Sequence, residues 1–237
     1  MYNIAIITAR GGSKRIPRKN IKEFCGKPIL LYSIEAALQS NLFDEVMVST
    51  DDEEIADIAK AAGASIPFMR SIENANDFAT TADVLMEVFE EYEKRGKVFE
   101  YAACIYPTAP FVTKEKLREG IRRLKEKNGN ILVPVVAFSF PPQRGMVTED
   151  ERLVYKWPEY RNSRSQDLEK MYHDCGQFYW YNVKKFIEKR GQFDKDIVPM
   201  IIPETEVQDI DSEEDWTIAE LKYKQLLYKG EERENKQ

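Results

Sequence analysis

Short apolar runs, many of them β-branched, alternate along this chain with longer stretches whose apolar positions recur at helical spacing. Ile4 to Ile7 precedes a helical pattern over Ile29 to Leu38; Val46 to Ser49 precedes Glu53 to Ala62; Ile66 to Phe68 precedes Ala82 to Tyr92. Ala102 to Tyr106 then leads into Lys116 to Lys127, and Leu132 to Val136 follows. Repeated strand–helix units predict an α/β chain with a mostly parallel sheet and helices on both faces. Thr50 to Glu53 and Ser212 to Asp215 have the spacing of a hydroxyl and an acid that begin helices, and Gly63 sits where one should end.

The pattern breaks after Ala137. Residues 138–175 mix Pro141, Pro142, Trp157, Pro158, tyrosines and arginines without sustained periodicity. This stretch reads as an insertion of short antiparallel elements, apolar enough to need a cover that a partner subunit could supply. Strand character returns at Gln177 to Tyr181 and Val198 to Ile202, and Trp216 to Tyr228 reads as the closing helix. The expected organisation is one domain from 1–137 and 176–229, the inserted lobe, and a charged, disordered tail over 230–237.

Composition narrows the function. The 237 residues, 43% of them hydrophobic, can bury a sizeable core, and a net charge of -6 argues against a general nucleic-acid binder. Three cysteines without short metal-ligand spacing fit neither a disulfide framework nor a zinc site. No signal peptide or spanning segment is evident, so a soluble, cytoplasmic protein without membrane partners is expected.

Against this acidic background, six cations lie between Arg10 and Lys22, directly after the first apolar run, with no acid before Glu23. In an open parallel sheet, ligands bind beyond the carboxyl ends of the strands, where this loop begins. Gly11 and Gly12 let the backbone approach a ligand, and Arg10, Lys14 and Lys19 can neutralise a polyphosphate. A Walker A loop is excluded, since Lys14 lacks its glycine spacing and following hydroxyl. Near the other end, Asp209 and Asp211 are two apart after Val207, so an extended backbone points both the same way, as an oxygen site for magnesium requires. Alternatively, Asp211 only begins the closing helix.

The stretch Ala9 to Asn20, with Ser49-Thr50-Asp51, Tyr106-Pro107-Thr108-Ala109-Pro110 and Gln208-Asp209-Ile210-Asp211, closely resembles the cytidylyltransferases that activate eight- and nine-carbon acidic sugars, the CMP-sialic acid and CMP-Kdo synthetase group. Arg15 to Asn20, Asp77 to Thr81, Asn162 to Asp167 and His173 to Tyr179 look most like the branch whose sugar is pseudaminic acid. Tyr106, where sialate enzymes have glutamine, implies a different pattern of sugar substituents. The resemblance implies a Rossmann-like fold of the nucleotide-diphospho-sugar transferase type and transfer of CMP from CTP, with Mg2+, to an acidic nine-carbon sugar. It implies a homodimer through the inserted lobe and a role in decorating a bacterial surface or flagellum.

Residue by residue, it implies that Ala9, Arg10, Gly11, Ser13, Lys14 and Lys19 hold the triphosphate. Asn20, Arg70, Ala79 and Thr81 would hold the nucleoside, and Asp209 and Asp211 the metal. Tyr106, Thr108, Arg144, Arg164, Gln166, His173 and Gln177 would face the sugar, Arg164 taking its carboxylate. Arg10, Lys14, Lys19 and Asp211 would carry the chemistry. The proton acceptor stays open between metal-assisted ionisation, a bound water and Asp211. Structural readings stand beside these: Thr81 as a helix cap, His173 as a hydrogen-bonded structural residue, and Phe178 to Tyr181 as strand packing. The same transfer to legionaminic acid, sialic acid or Kdo, a silent nucleotide-binding module and a glycosyltransferase of related architecture are the rival functions.

Overall fold

The first strand, β1 (Asn3–Thr8), sends Ile4 and Ile6 to one face and Ala5 and Ile7 to the other, all fully buried. A strand apolar on both sides must be covered twice. The computed structural model describes residues 2–234. After β1 come a small hairpin, β2 (Glu23–Phe24) and β3 (Lys27–Pro28), then α1 (Leu30–Ser40), β4 (Glu45–Ser49) and α2 (Glu53–Ala61). A short α3 (Ile72–Ala75), α4 (Thr81–Lys94), β5 (Tyr101–Ile105), α5 (Lys114–Glu126) and β6 (Ile131–Ala137) follow. A second hairpin, β7 (Met146–Glu149) and β8 (Arg152–Tyr155), precedes β9 (Tyr172–Asp174), β10 (Phe178–Asn182), α6 (Val183–Lys189), β11 (Ile197–Ile201) and α7 (Glu213–Glu234).

Seven strands form the main sheet in the order β11-β6-β10-β5-β1-β4, with β9 added to β6. On one face Ile4 and Ile6 pack with Leu85, Val88 and Phe89 of α4 and Phe186 of α6. On the other, Ala5 and Ile7 pack with Leu30 and Ile34 of α1, Ile55 of α2 and Leu117 of α5. The largest fully buried side chain, Trp180 on β10, stacks on Phe43 at 5.1 Å. It leaves no room above Gly120 of α5, where an added Cβ would lie 2.9 Å from its ring.

The helices on both faces match the expectation, and several details differ. Strand β10 runs antiparallel between β5 and β6, and β9 is antiparallel to the end of β6, so the sheet is mixed. Residues 66–68 form no strand. Only Ser65 bridges Met47, and Pro67 has no amide to extend the ladder. Thr50 does not cap α2; Asp52 does, accepting from the Ile55 amide at 3.0 Å, while Thr50 Oγ1 accepts from the Asp52 amide. Ser212 and Asp215 do form the expected reciprocal pair, Ser212 N donating to Asp215 and Asp215 N to Ser212 Oγ. The closing helix runs to Glu234, so helical backbone covers most of the expected tail, whose last residues, 235–237, lie outside the described part.

Candidate active site

Strands β4, β1 and β5 are parallel, and their carboxyl ends share one edge of the sheet. The 9–20 loop leaves β1 at that edge and, with residues 70–81 and 106–108, walls a cleft of about 480 Å³. Arg10, Ser13, Lys14, Lys19, Asn20, Arg70, Ala79, Thr81, Tyr106 and Thr108 all line it, as the sequence predicted. Arg15, Asn74, Asn76 and Asp77 line it too.

Every cation of the basic loop meets a carboxylate. Arg10 Nη1 donates to Asp77 Oδ1 at 2.7 Å, and Lys14 pairs with the other oxygen of Asp77. Arg15 Nη2 lies 2.7 Å from Asp211 Oδ1, and Lys19 Nζ 3.7 Å from the same oxygen. Arg18 turns out of the cleft to Asp52 and Glu54, and Lys22 pairs with Glu213 at 2.5 Å. Four of the six cations therefore remain on the cleft, in two pairs. Arg15 was legible only as one charge in a run; its partner Asp211 lies at the far end of the sequence.

What unites the two ends of the chain is apolar. Ile16, fully buried within the basic loop, packs in one cluster with Phe24, Tyr32, Phe111, Trp216 of α7 and Ile210, the residue between the two aspartates. Lys19 seals the join, donating to the Ile210 carbonyl at 2.7 Å. Burial lowers the Lys19 pKa, opposed by the charge of Asp211. The segment carrying the aspartates has no regular secondary structure and lies outside the sheet, following the short 3-10 turn Glu204–Glu206. Although much of Asp209 is open to solvent, its carboxyl has protein close around it. Its pKa is raised first by that desolvation and then by the charge of Asp211.

Two mutually repelling carboxylates are an oxygen-donor set that suits magnesium, which commonly takes one or two carboxylates and completes its shell with phosphate and water. No group of three or more acidic, cysteine or histidine side chains among the described residues could hold an ion alone. Asp209 and Asp211 are two such oxygen donors, so a magnesium ion they held would take the rest of its shell from ligand and water.

At the other end of the cleft the buried Arg70 commits Nε to Ser49 Oγ at 2.9 Å and Nη2 to the Ser49 carbonyl at 2.6 Å. Burial lowers its pKa, and it has no ion-pair partner among the described residues. Asn20 donates to the Arg10 carbonyl at 2.8 Å, tying the loop's two ends together. The cap of α4 is Thr80, in a box with Asp83, which leaves Thr81 Oγ1 to meet the Tyr106 hydroxyl at 3.3 Å. Tyr106 packs edge-on to Tyr179, whose hydroxyl donates to Asp174 at 2.9 Å.

Several predicted residues stand elsewhere. Ala9 is buried, its amide spent on the Ser49 carbonyl at 3.0 Å. The Gly11 amide is not free either, since it donates to Asp51 Oδ1 at 2.9 Å; what requires glycine is the Asp52 carboxylate, 2.7 Å from where a Cβ would stand. Gln177 is buried away from the cleft, its Nε2 donating to the Glu206 carbonyl at 2.7 Å. Arg144 reaches Ser165, Arg164 pairs with Asp167, and the His173 ring lies against Phe138. These three and Gln166 belong to the 138–175 segment, and none lines this cleft.

Residues 4–191 match the family model described as Cytidylyltransferase. The chain belongs to the cytidylyltransferase family. Within it, the chain is 39% identical over 230 residues, 97% of each chain, to "Pseudaminic acid cytidylyltransferase" of Campylobacter jejuni. It is 31% identical to "CMP-N,N'-diacetyllegionaminic acid synthase" of Legionella pneumophila, covering 93% of this chain and 95% of that one. Among solved structures, a CMP:2-keto-3-deoxy-manno-octonic acid synthetase complexed with CTP superposes with a TM-score of 0.69 at 18% identity, covering 95% and 99% of the two chains. That likeness supports the mixed α/β fold. No helix among the described residues is long and apolar enough to cross a membrane.

Proposed function

We propose that this cytidylyltransferase transfers CMP from CTP to the anomeric hydroxyl of pseudaminic acid, a nonulosonic acid, releasing pyrophosphate. The observation that carries the reading is the meeting of the basic loop with the Asp209–Asp211 segment, through Ile16, Ile210 and Lys19; Arg15 and Lys19 line the cleft, and the two aspartates themselves do not. The choice of sugar rests on the Campylobacter jejuni relative, which at 39% identity stands above the legionaminate enzyme at 31%.

In this mechanism Arg70 and Asn20 seat the cytidine, and Arg10, Lys14, Arg15 and Lys19 hold the triphosphate. The sugar hydroxyl attacks the α-phosphorus in line; the new O–P bond forms as the bond to the oxygen bridging to the β-phosphate breaks, and the hydroxyl proton passes to water or to Asp211. The cations take up the charge that grows on the departing pyrophosphate. Asp209 and Asp211 would hold a magnesium ion, which when bound neutralises phosphate charge and orients the reacting oxygens. The test is pyrophosphate release from CTP with pseudaminic, legionaminic, N-acetylneuraminic and Kdo acids. Turnover is expected with pseudaminic acid above the other three; release with none of them would overturn the reading.

Two copies are proposed to pair through residues 138–175, so that Arg144, Arg164, Gln166 and His173 serve the partner's sugar site. In support, Phe140, Met146, Leu153 and Met171 of this segment are 57%, 51%, 69% and 44% exposed, apolar side chains of the kind a partner subunit would cover. Sedimentation velocity should give a dimer that Leu153→Glu weakens. A wild-type monomer at micromolar concentration would sink the pairing.

A further inference from the structure

Asp77 has no part in the transfer just described, yet both outer cations of the cleft face it. Its Oδ1 accepts from Arg10 at 2.7 Å and its other oxygen is held by Lys14. Neither cation has another carboxylate partner among the described residues. The hydrogen bonds from Lys14 and Arg10 lower the pKa of the Asp77 carboxyl from its ordinary value.

The surrounding backbone keeps this carboxylate at its post. Asn76 Oδ1 accepts from the amides of Phe78 at 2.7 Å and Ala79 at 3.1 Å, while Asn76 Nδ2 donates to the Glu73 carbonyl at 2.6 Å. Upstream, Glu87 of α4 accepts from the Ser71 amide and from Asn74 Nδ2, both at 2.8 Å. Downstream, Thr80 and Asp83 close the capping box of α4. Asp77 thus sits on a turn fastened at both ends. Pushed aside, it stays tethered beside Arg10 and Lys14 at an effective concentration of roughly millimolar or more.

We propose that Asp77 competes with polyphosphate for Arg10 and Lys14, occupying them before nucleotide enters and helping to displace pyrophosphate after the transfer; this rests on the triphosphate reading of the cleft. A ligand that takes those two cations must first break their contacts with Asp77. The penalty falls on CTP and pyrophosphate alike, so it weakens ground-state binding without touching interactions that form only in the transition state. Its benefit lies in release, because a product gripped by Arg10 and Lys14 unopposed, beside Arg15 and Lys19, would hold turnover back.

Calorimetric titration of the full chain with CTP and with inorganic pyrophosphate, together with product inhibition by pyrophosphate, tests this. Asp77→Asn should bind pyrophosphate about three- to tenfold tighter, as expected for two exposed ion pairs. Its KM for CTP should fall and product inhibition should deepen. Asp77→Glu keeps the charge and should show no such tightening. If Asp77 merely braces the two cations, the Asn variant binds more weakly; weaker or unchanged binding overturns the proposal. Failure of the wild type to bind either CTP or pyrophosphate would instead overturn the triphosphate reading itself.

Discussion

Replacing Asp211 with asparagine is expected to lower kcat by about a hundredfold or more while leaving CTP affinity nearly intact, a magnitude typical of losing one preorganised charge contact in a transition state. The structure explains the split. Asp211 Oδ1 is held by Arg15 at 2.7 Å and faces Lys19 at 3.7 Å, so its charge is set among the cations proposed to hold the phosphates. Asparagine keeps the shape and removes the charge. The join between the chain ends survives, because Lys19 is fastened to the Ile210 carbonyl rather than to the Asp211 side chain alone. Arg15 and Lys19, relieved of an anion, remain able to bind the triphosphate. Steady-state pyrophosphate release gives kcat and calorimetry gives the Kd for CTP. A variant with near wild-type kcat would remove Asp211 from the chemistry, and a large loss of CTP binding would make its role structural.

Much of the fold was legible because burial is written in periodicity. The continuous apolar run Ile4 to Ile7 marked a strand in a sheet covered on both faces, and the helical spacings found α1, α2, α4 and α5 to within a few residues. Strand direction is not written that way: the side chains of β10 alternate identically whether its neighbours run parallel or antiparallel, so its reversal between β5 and β6 had no signal. Ile66 to Phe68 has the right residue types, but Pro67 supplies no donor, and the run stays outside the ladder.

The candidate site divides in the same manner. The loop cations and the carboxylate pair could be named, since charge clusters and spacing are local properties. What joins them could not, because Ile16 and Ile210 are single apolar residues among charged ones and share a core only once the chain is folded. Pairings such as Arg10 and Lys14 with Asp77, or Arg15 with Asp211, link residues far apart in sequence. Gly11 shows a subtler failure: glycine was rightly singled out, yet the reason is the Asp52 carboxylate pressed against it, not a free amide.

The same distinction between a local charge and a tertiary contact separates two lysines of one loop. Lys19→Met should lower kcat/KM for CTP by about a hundred- to a thousandfold, and should also lower the Tm, since a hydrogen bond from a charged group contributes about 2 kcal/mol. Its side chain is 19% exposed and its Nζ donates to the Ile210 carbonyl at 2.7 Å, so methionine fills the space but leaves that carbonyl without its donor and the cleft without a cation. Lys14→Met removes an equal charge from a side chain that is 79% exposed and, among the described residues, pairs only with Asp77. Screening by water should hold its loss to about tenfold or less, with no change in Tm. Thermal melts and steady-state kinetics on the pair decide the matter. Equal effects for the two lysines would mean that net charge alone governs the loop, and that the Lys19–Ile210 contact does not bring the aspartate segment to the phosphates.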